Sequence, residues 1–457
     1  MIYFDKQHHL LEQHAYDYRL QDIENPNLYR DLFPFTEVPK ISFNHREVPM
    51  NMPDHVYITD TTFRDGQQAR EPYTVEQIAT IYQLLHCLGG KNGIIRQTEF
   101  FVYSKKDREA LQKCLEMGYQ YPEITTWIRA NMKDFQLVKD LGVKETGILV
   151  SCSDYHIFKK LHMTRAQAME HYLSIVKEAL AVGLRPRCHL EDITRADFYG
   201  FVVPFVDALR SLGEEANIPI KIRACDTLGL GVSFPGVALP RSVPGIIYGL
   251  RHYSKITAEQ LEWHGHNDCG MAVANACNAW LYGAQTVNCS ILGIGERTGN
   301  VPLETMAILY TSLRGDDGGM DLSAISEIAE YYEKEIGYKI PPMTPFAGQD
   351  FNVTRAGVHA DGILKDEEIY NLFDTAKILN RPATIAISNV SGLAGIACWI
   401  NQYYHLSEKN RVEKADPLVA KVKKWVDSEY ENGRVTSISD EEMDARVQKA
   451  EPNRFLR

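Results

Sequence analysis

Two histidines two residues apart, His264 and His266 in EWHGHND, lie in a run with the residue pattern of a β-strand. Alternation along a strand sends both imidazoles to one face, together with Glu262. Two imidazoles so placed suit one divalent cation; a pair of structural histidines has the same spacing, so the motif alone leaves both readings open. Asp65, in TTFRDGQQ, follows another strand-like run. It reads either as a turn carboxylate before glycine or as a third ligand. Three protein ligands on an octahedral ion leave about three positions for substrate oxygens and water. A 2-oxo acid chelates through its keto and carboxylate oxygens, and the ion would act on that ketone as a Lewis acid. Arg64, beside Asp65, is placed either to stabilise an oxyanion growing on the ketone or to form a structural ion pair. Gly293, Gly295 and Gly299 have GxGxxxG spacing at the last strand-like run, which is not a dinucleotide fingerprint.

These groups need a scaffold that brings distant segments to one rim. Eight strand-like runs are predicted, at Val56–Asp60, Ile94–Phe101, Glu123–Ile128, Thr146–Ser151, Arg185–Glu191, Ile220–Asp226, Leu261–His266 and Thr286–Ile291. Amphipathic segments separate them, with one face at Ile78, Ile81, Tyr82, Leu85 and Leu88 and another at Met169, Leu173, Val176 and Leu180. Gly142, Gly183 and Gly213 fall where helix ends are expected. Eight β–α units predict a (β/α)8 barrel of the α/β class, whose catalytic face is the C-terminal end of the strands. Several runs end there in a polar residue: Asp60, Glu99, Glu191, Asp226 and His266. Residues 1–50 read as an N-terminal extension, 51–320 as the catalytic barrel, and 321–457 as a linker and a mainly helical C-terminal subdomain. Residues 228–255 predict an enlarged loop before a short helix. Asp416 before Pro417, and Ser439 with Glu442, mark helix starts.

The 457 residues carry 49 Lys and Arg against 60 Asp and Glu, a net charge of -11. That excludes a basic footprint for non-specific nucleic-acid binding, while local arginines can still receive an anionic substrate. No apolar run approaches the ~18 residues of a membrane span, and the first residues lack the apolar core of a secretory leader. Nine cysteines with no CxxC pair do not form a disulfide framework and point to a reducing cytoplasm. Cys225 and Cys289, near the rim, read as buried structural thiols.

Taken together, TDTTFRDGQQ, QTEFF, RCHLEDITR, ACDTLG, EWHGHND and GIGERTGNVPLE, followed by VHADGILKDEEIY, resemble the metal-dependent acyl-CoA condensing enzymes on a catalytic barrel. That family holds the isopropylmalate synthases, homocitrate synthases and Re-type citrate synthases. The resemblance covers about 310 residues and implies metal ligands at Asp65, His264 and His266, with Asn300 direct or through water. It also implies Arg64 at the keto oxygen, Glu99 and Thr227 around the 2-oxo acid, and Arg187 and His189 where acceptor side chains are chosen. Glu191 matches an acid that works with a histidine and a tyrosine from the C-terminal subdomain of a partner subunit; His359 and Tyr370 fit those two. Taken alone, His359 reads as a surface histidine and Tyr370 as packing. A homodimer with composite sites follows from the resemblance.

Within the family, RDGQQ departs from the RDGEQ of the isopropylmalate and homocitrate branches. The extension, RQTEFFVYSKKDRE and ACDTLGLGVSFPG resemble the branch that condenses acetyl-CoA with oxaloacetate. Glu262 and Arg187 also fit the homocitrate branch, whose acceptor is 2-oxoglutarate. An acyl-CoA lyase on the same barrel is a further alternative, and an iron oxygenase with a two-histidine, one-carboxylate site does not suit eight β–α units. Two imidazoles, a carboxylate and water accept Mn, Co, Fe, Zn or Mg, and the oxygen-rich open sphere favours Mn or Mg.

Overall fold

A computed structural model describes residues 2–5, 10–13, 18–129, 134–452 and 454–455. The chain divides into two compact units, Met1–Asp321 and Leu322–Arg457.

The first unit is built on a closed barrel of eight parallel strands. In chain order they are β1 (Tyr57–Asp60), β2 (Ile95–Phe100), β3 (Glu123–Ile128), β4 (Glu145–Ser151), β5 (Arg185–Glu191), β6 (Lys221–Asp226), β7 (Leu261–Gly265) and β8 (Thr286–Cys289). Each pairs with its sequence neighbour, and β8 closes on β1 with Thr286 opposite Tyr57. The expected eight-stranded barrel is what forms. The last two runs are shorter than expected: β7 stops at Gly265 and β8 at Cys289, where His266 and Ser290 leave the ladder for isolated bridges to Asn300 and Pro302.

The helices seal the outside of the barrel. Val75–Gly89 begins with a capping box from Thr74 and Gln77, and its predicted face Ile78, Ile81, Tyr82, Leu85 and Leu88 is buried. On Arg165–Ala181 the face is rotated from the expected one. Ala168, Tyr172, Ile175, Val176 and Ala179 are buried, while Met169, Leu173 and Leu180 are half-buried. Small alanines let this helix approach the strands, so the close contact follows them rather than the larger side chains. Gly142 and Gly183 take positive φ after their helices, whereas Gly213 lies inside the helix Val203–Ala216, which Asn217 ends at φ 52°. Gly213 serves close packing instead: a β-carbon there would stand 2.9 Å from the Ile218 carbonyl oxygen.

An antiparallel pair, Ile2–Asp5 with Leu10–Gln13, lies at the N-terminus. Residues 18–50 are irregular and are tied down through polar contacts. Asn27 N donates to Asp154 Oδ2 at 2.7 Å, Tyr155 donates to the Leu28 carbonyl at 2.7 Å, and Arg241 Nη1 donates to the Lys40 carbonyl at 2.7 Å. The loop after β6 is enlarged, as expected, and leads to the helix Val243–His252.

The second unit is mainly helical and carries its own core, with Ile396, Ile400, Leu418, Val422, Val426, Met443 and Val447 at its centre. Asp416 accepts from Leu418 N ahead of Pro417–Glu431, and Ser439 with Glu442 forms a capping box ahead of Asp440–Ala450.

Replacing Gly213 by Ala separates the two readings of that glycine. The β-carbon clash predicts a loss of about 1–3 kcal/mol, read as a lower unfolding midpoint in urea; unchanged or increased stability would mean that the helix absorbs the extra carbon.

Candidate active site

The end of β1 runs into a single wide turn, Thr62–Gly66, that carries Arg64 and Asp65 inward over the strand ends. On the opposite wall β7 presents His264, and His266 follows just past its end. His264 Nε2 and His266 Nε2 are 3.2 Å apart, and each is 3.7 Å from Asp65 Oδ2. All three are buried, with their ligand atoms within 4.8 Å of one another. Among the described residues this is the group of acids, histidines and cysteines that could hold an ion.

The surroundings fit a divalent cation. His264 Nδ1 lies 2.7 Å from Asn288 Oδ1, which can only accept, so the Nδ1 proton is held there and the Nε2 lone pair faces Asp65. Asn288 in turn donates to Thr59 Oγ1 at 3.0 Å. Burial lowers the pKa of His264 to about 3, helped by His266, and lowers that of His266. Both rings are therefore neutral at neutral pH. Burial alone would raise Asp65, but the Arg64 guanidinium and the hydrogen bond from Asn300 outweigh it and hold the carboxyl at about 2. Asn300 Nδ2 donates to Asp65 Oδ2 at 2.6 Å, and its Oδ1 is buried without a hydrogen-bond partner. A buried carbonyl oxygen left open beside two neutral imidazoles and an ionised carboxylate suits a cation.

Asn300 is placed by the loop after β8. Gly295 leaves room for it, since a β-carbon there would come within 2.5 Å of Asn300 Oδ1. Leu292 in that loop has φ 55°, and its N–H donates to Glu304 Oε2 at 3.0 Å. Burial raises Glu304 to about 7.

Beneath the triad the barrel is filled with charge rather than the branched apolar layers usual in this fold. Glu99 is the hub. Its Oε2 accepts from Arg64 Nε at 2.8 Å, its Oε1 from Arg187 Nη2 at 2.6 Å, and both oxygens from Arg223 Nη1 at 3.1 Å. Burial would raise its pKa, yet Arg223, Arg64 and Arg187 hold it well below the usual range. All five N–H donors of Arg187 are engaged, by Gln97, Glu145, Glu99, Thr125 and His189 Nε2. His189 is kept neutral by burial and the neighbouring Arg223. Glu262 accepts from Arg223 Nε at 2.5 Å and from Thr59. Gly147 makes space for this layer, because a β-carbon there would stand 2.5 Å from His189 Nε2.

Strand register places Glu191 opposite Cys225, and Cys225 opposite His264. With neighbouring strands about 4.8 Å apart, Glu191 stands at the mouth two strands from the histidines. Its Oε2 accepts from Ser151, lies 3.1 Å from His156 Nδ1 and 3.2 Å from Lys160 Nζ. Burial would raise it, but His156, Ser151 and Lys160 lower it to about 2. Thr227 Oγ1 accepts from the Asp192 N–H at 2.8 Å. Asp60 and Asp226, also at strand ends, do not join the site. Asp60 binds Thr62 and Thr98, and Asp226 binds Thr194 and the N–H groups of Leu230 and Gly231. Cys225 and Cys289 are buried, and burial raises both thiols.

His359 and Tyr370 belong to the second unit. Their rings are 4.3 Å apart, both are exposed, and Gly362 admits the tyrosine ring, which a β-carbon would meet at 2.5 Å. Several groups were not expected from sequence, among them Arg223, which shares the inward parity of Cys225 on β6, His156, on the helix Asp154–Lys159, Asn288 on β8 and Glu145 on β4.

An eight-stranded barrel with a two-histidine, one-carboxylate cluster at its C-terminal mouth defines the class. The HMGL-like family profile matches residues 55–331, and the chain belongs to that family. It is 59% identical over 438 residues to the citrate (Re)-synthase of Clostridium kluyveri, covering 96% of this chain and 97% of that protein. It is 54% identical to the citrate (Re)-synthase of Syntrophus aciditrophicus, covering 96% of this chain and 70% of that one. Among solved structures, a hydroxymethylglutaryl-CoA lyase from Pseudomonas aeruginosa shares the fold, with a TM-score of 0.50 at 20% identity over 64% of this chain and 96% of that one.

Two outcomes follow. Asn288→Ala frees the His264 ring and should weaken divalent-ion affinity by about 10–100-fold, measured by competition with a chelating dye; unchanged affinity would remove Asn288 from the metal site's support. Glu304 binds its proton more tightly in the folded chain than in the unfolded one. Its contribution to stability is therefore full below pH ~4.5 and lost as pH rises through about 7. Glu304→Gln should flatten that part of the stability profile, and an unchanged profile between pH 4.5 and 7 would contradict it.

Proposed function

We infer that the chain is a citrate (Re)-synthase, joining acetyl-CoA to oxaloacetate and hydrolysing the thioester to citrate and CoA. The observation that carries this is the 59% identity to a relative of that activity over nearly the full length of both chains. The buried arginines below the triad support a dicarboxylate acceptor over a branched aliphatic one.

Asp65, His264, His266 and Asn300 would hold one divalent ion, with manganese preferred and cobalt, magnesium, zinc or iron compatible with the same donors. When bound, the ion supplies Lewis acidity toward the acceptor's ketone. Arg64 points its guanidinium at the rim beside Asp65, where it can stabilise negative charge growing on the keto oxygen. Glu99 holds Arg64 in that pose, and Thr227, Glu262, Arg187 and His189 shape the acceptor's surroundings. Arg187 orients His189 and Glu99, because its own donors are taken.

His359 removes a proton from the acetyl methyl, with Glu191 orienting its ring and Tyr370 beside it. The resulting carbon nucleophile attacks the ketone carbon, forming the new C–C bond. Water then cleaves the C–S bond of the thioester, and CoA leaves as the thiol. His359 and Tyr370 are offered by the second unit of one subunit to the barrel of its partner, so the working form is a homodimer. The exposed apolar residues Val358, Ile369 and Leu372 near this pair support a surface that a partner covers. Nine free thiols support a reducing cytoplasm, where citrate formation opens the tricarboxylic acid cycle. No helix of the described residues is long and apolar enough to cross a membrane.

The test is thiol release from acetyl-CoA by chelator-stripped protein given back Mn, with oxaloacetate, 2-oxoglutarate and 2-oxoisovalerate in parallel. Oxaloacetate should be preferred, and Glu191→Gln should lower kcat by about 10²–10⁴-fold. Preference for 2-oxoglutarate would make the chain a homocitrate synthase. Absence of thiol release with every acceptor, together with cleavage of hydroxymethylglutaryl-CoA to acetyl-CoA, would make it a lyase.

A further inference from the structure

The charge layer below the triad carries one guanidinium with a donor to spare. Arg223 is 0% exposed. Its Nε donates to Glu262 and its Nη1 to Glu99, but its Nη2 is buried with no hydrogen-bond partner. A buried charged donor left unpaired costs more than an ordinary missing bond, so a partner is expected to arrive. Arg187, by contrast, has every donor engaged.

Charge balance points the same way. Arg64, Arg187, Lys221 and Arg223 contact Asp65, Glu99, Glu145 and Glu262, four cations against four carboxylates. A divalent ion among Asp65, His264 and His266 would leave this cluster two positive charges in surplus, the charge of a dianion. A 2-oxo monocarboxylate would leave one charge uncompensated in a buried place. Register sets the geometry: Arg223 is opposite Glu262, and Cys225, two residues on, is opposite His264. Arg223 thus lies one inward layer below the triad, about 6.6 Å along the strand.

We propose that Arg223 is the acceptor-specificity residue: its free Nη2 receives the distal carboxylate of the oxo acid whose keto end sits at the triad, while Arg187 braces the layer. This rests on the dicarboxylate acceptor inferred above. The acceptor then spans the two places where the barrel interior has unmet demand, Asn300 Oδ1 with the triad above and Arg223 Nη2 below. It also explains why Glu262 and Glu99 hold Arg223 by Nε and Nη1 alone.

The experiment compares oxaloacetate with 2-oxobutyrate, in which a methyl group replaces the distal carboxylate, on Mn-loaded wild type, Arg223→Lys and Arg187→Lys. Calorimetric binding of each acid without acetyl-CoA accompanies the kinetics. Arg223→Lys should weaken oxaloacetate binding, and raise its KM, by about 10–100-fold. Binding of 2-oxobutyrate and the KM for acetyl-CoA should stay within about twofold, and Arg187→Lys should shift both acids alike. If Arg223→Lys does not fold, the charge-neutral pair Arg223→Met with Glu262→Gln replaces it, with the same expected loss of preference. An unchanged oxaloacetate-to-2-oxobutyrate ratio in a folded Arg223 variant would overturn the proposal, as would a collapse of that ratio in Arg187→Lys alone. A wild type that takes only monocarboxylates would instead overturn the functional reading itself.

Discussion

Glu99 carries its charge in the middle of the barrel, and three guanidiniums converge on it. Arg64 reaches it from the rim, Arg187 from β5 and Arg223 from β6. A lone buried carboxylate would be very costly, so its charge is met by partners that are themselves fixed by Glu262, Glu145 and Gln97. Removing one member of such a network leaves the rest uncompensated, at a cost of about 3–5 kcal/mol. Arg64 is therefore held beside Asp65, and Asp65 beside the histidines, by interactions that begin two layers down. The triad at the rim and the Arg223–Glu262 pair below it are two ends of one electrostatic assembly.

That assembly explains the unusual interior. Most barrels of this kind fill their centre with branched apolar side chains, whereas here the inward positions of β2, β4, β5, β6 and β7 carry Glu99, Glu145, Arg187, Arg223 and Glu262. The helices outside supply the apolar burial, with Trp280, Phe201 and Phe205 among the largest fully buried side chains. The outer shell thus supplies the apolar burial, while the inner one holds oriented charge whose members depend on one another.

Much of this was legible from residue order. Alternation put His264 and His266 on one face, and eight strand runs required a barrel. Glu191 falls at a strand end on the inward side, while Asp60 and Asp226, with the opposite parity, were not separable from it until the register was known. Arg223 is not legible in the sequence, because a charged residue between Ile222 and Ala224 looks misplaced in a barrel strand unless its partners are known. Those partners, Glu99 and Glu262, are 124 and 39 residues away. His156 was missed for a related reason: it meets Glu191 through a short helix that no rim motif announced. Gly213 has the look of a helix end because the sequence does not show Ile218 folding back against it.

One divalent ion at Asp65, His264 and His266 would complete a site whose charge and donors fit a dianionic oxo acid. Equilibrium dialysis of labelled oxaloacetate against chelator-stripped and Mn-reconstituted protein tests it without any turnover. One oxaloacetate should bind per chain in the presence of Mn, with no measurable binding in its absence. Equal binding with and without the ion would contradict it.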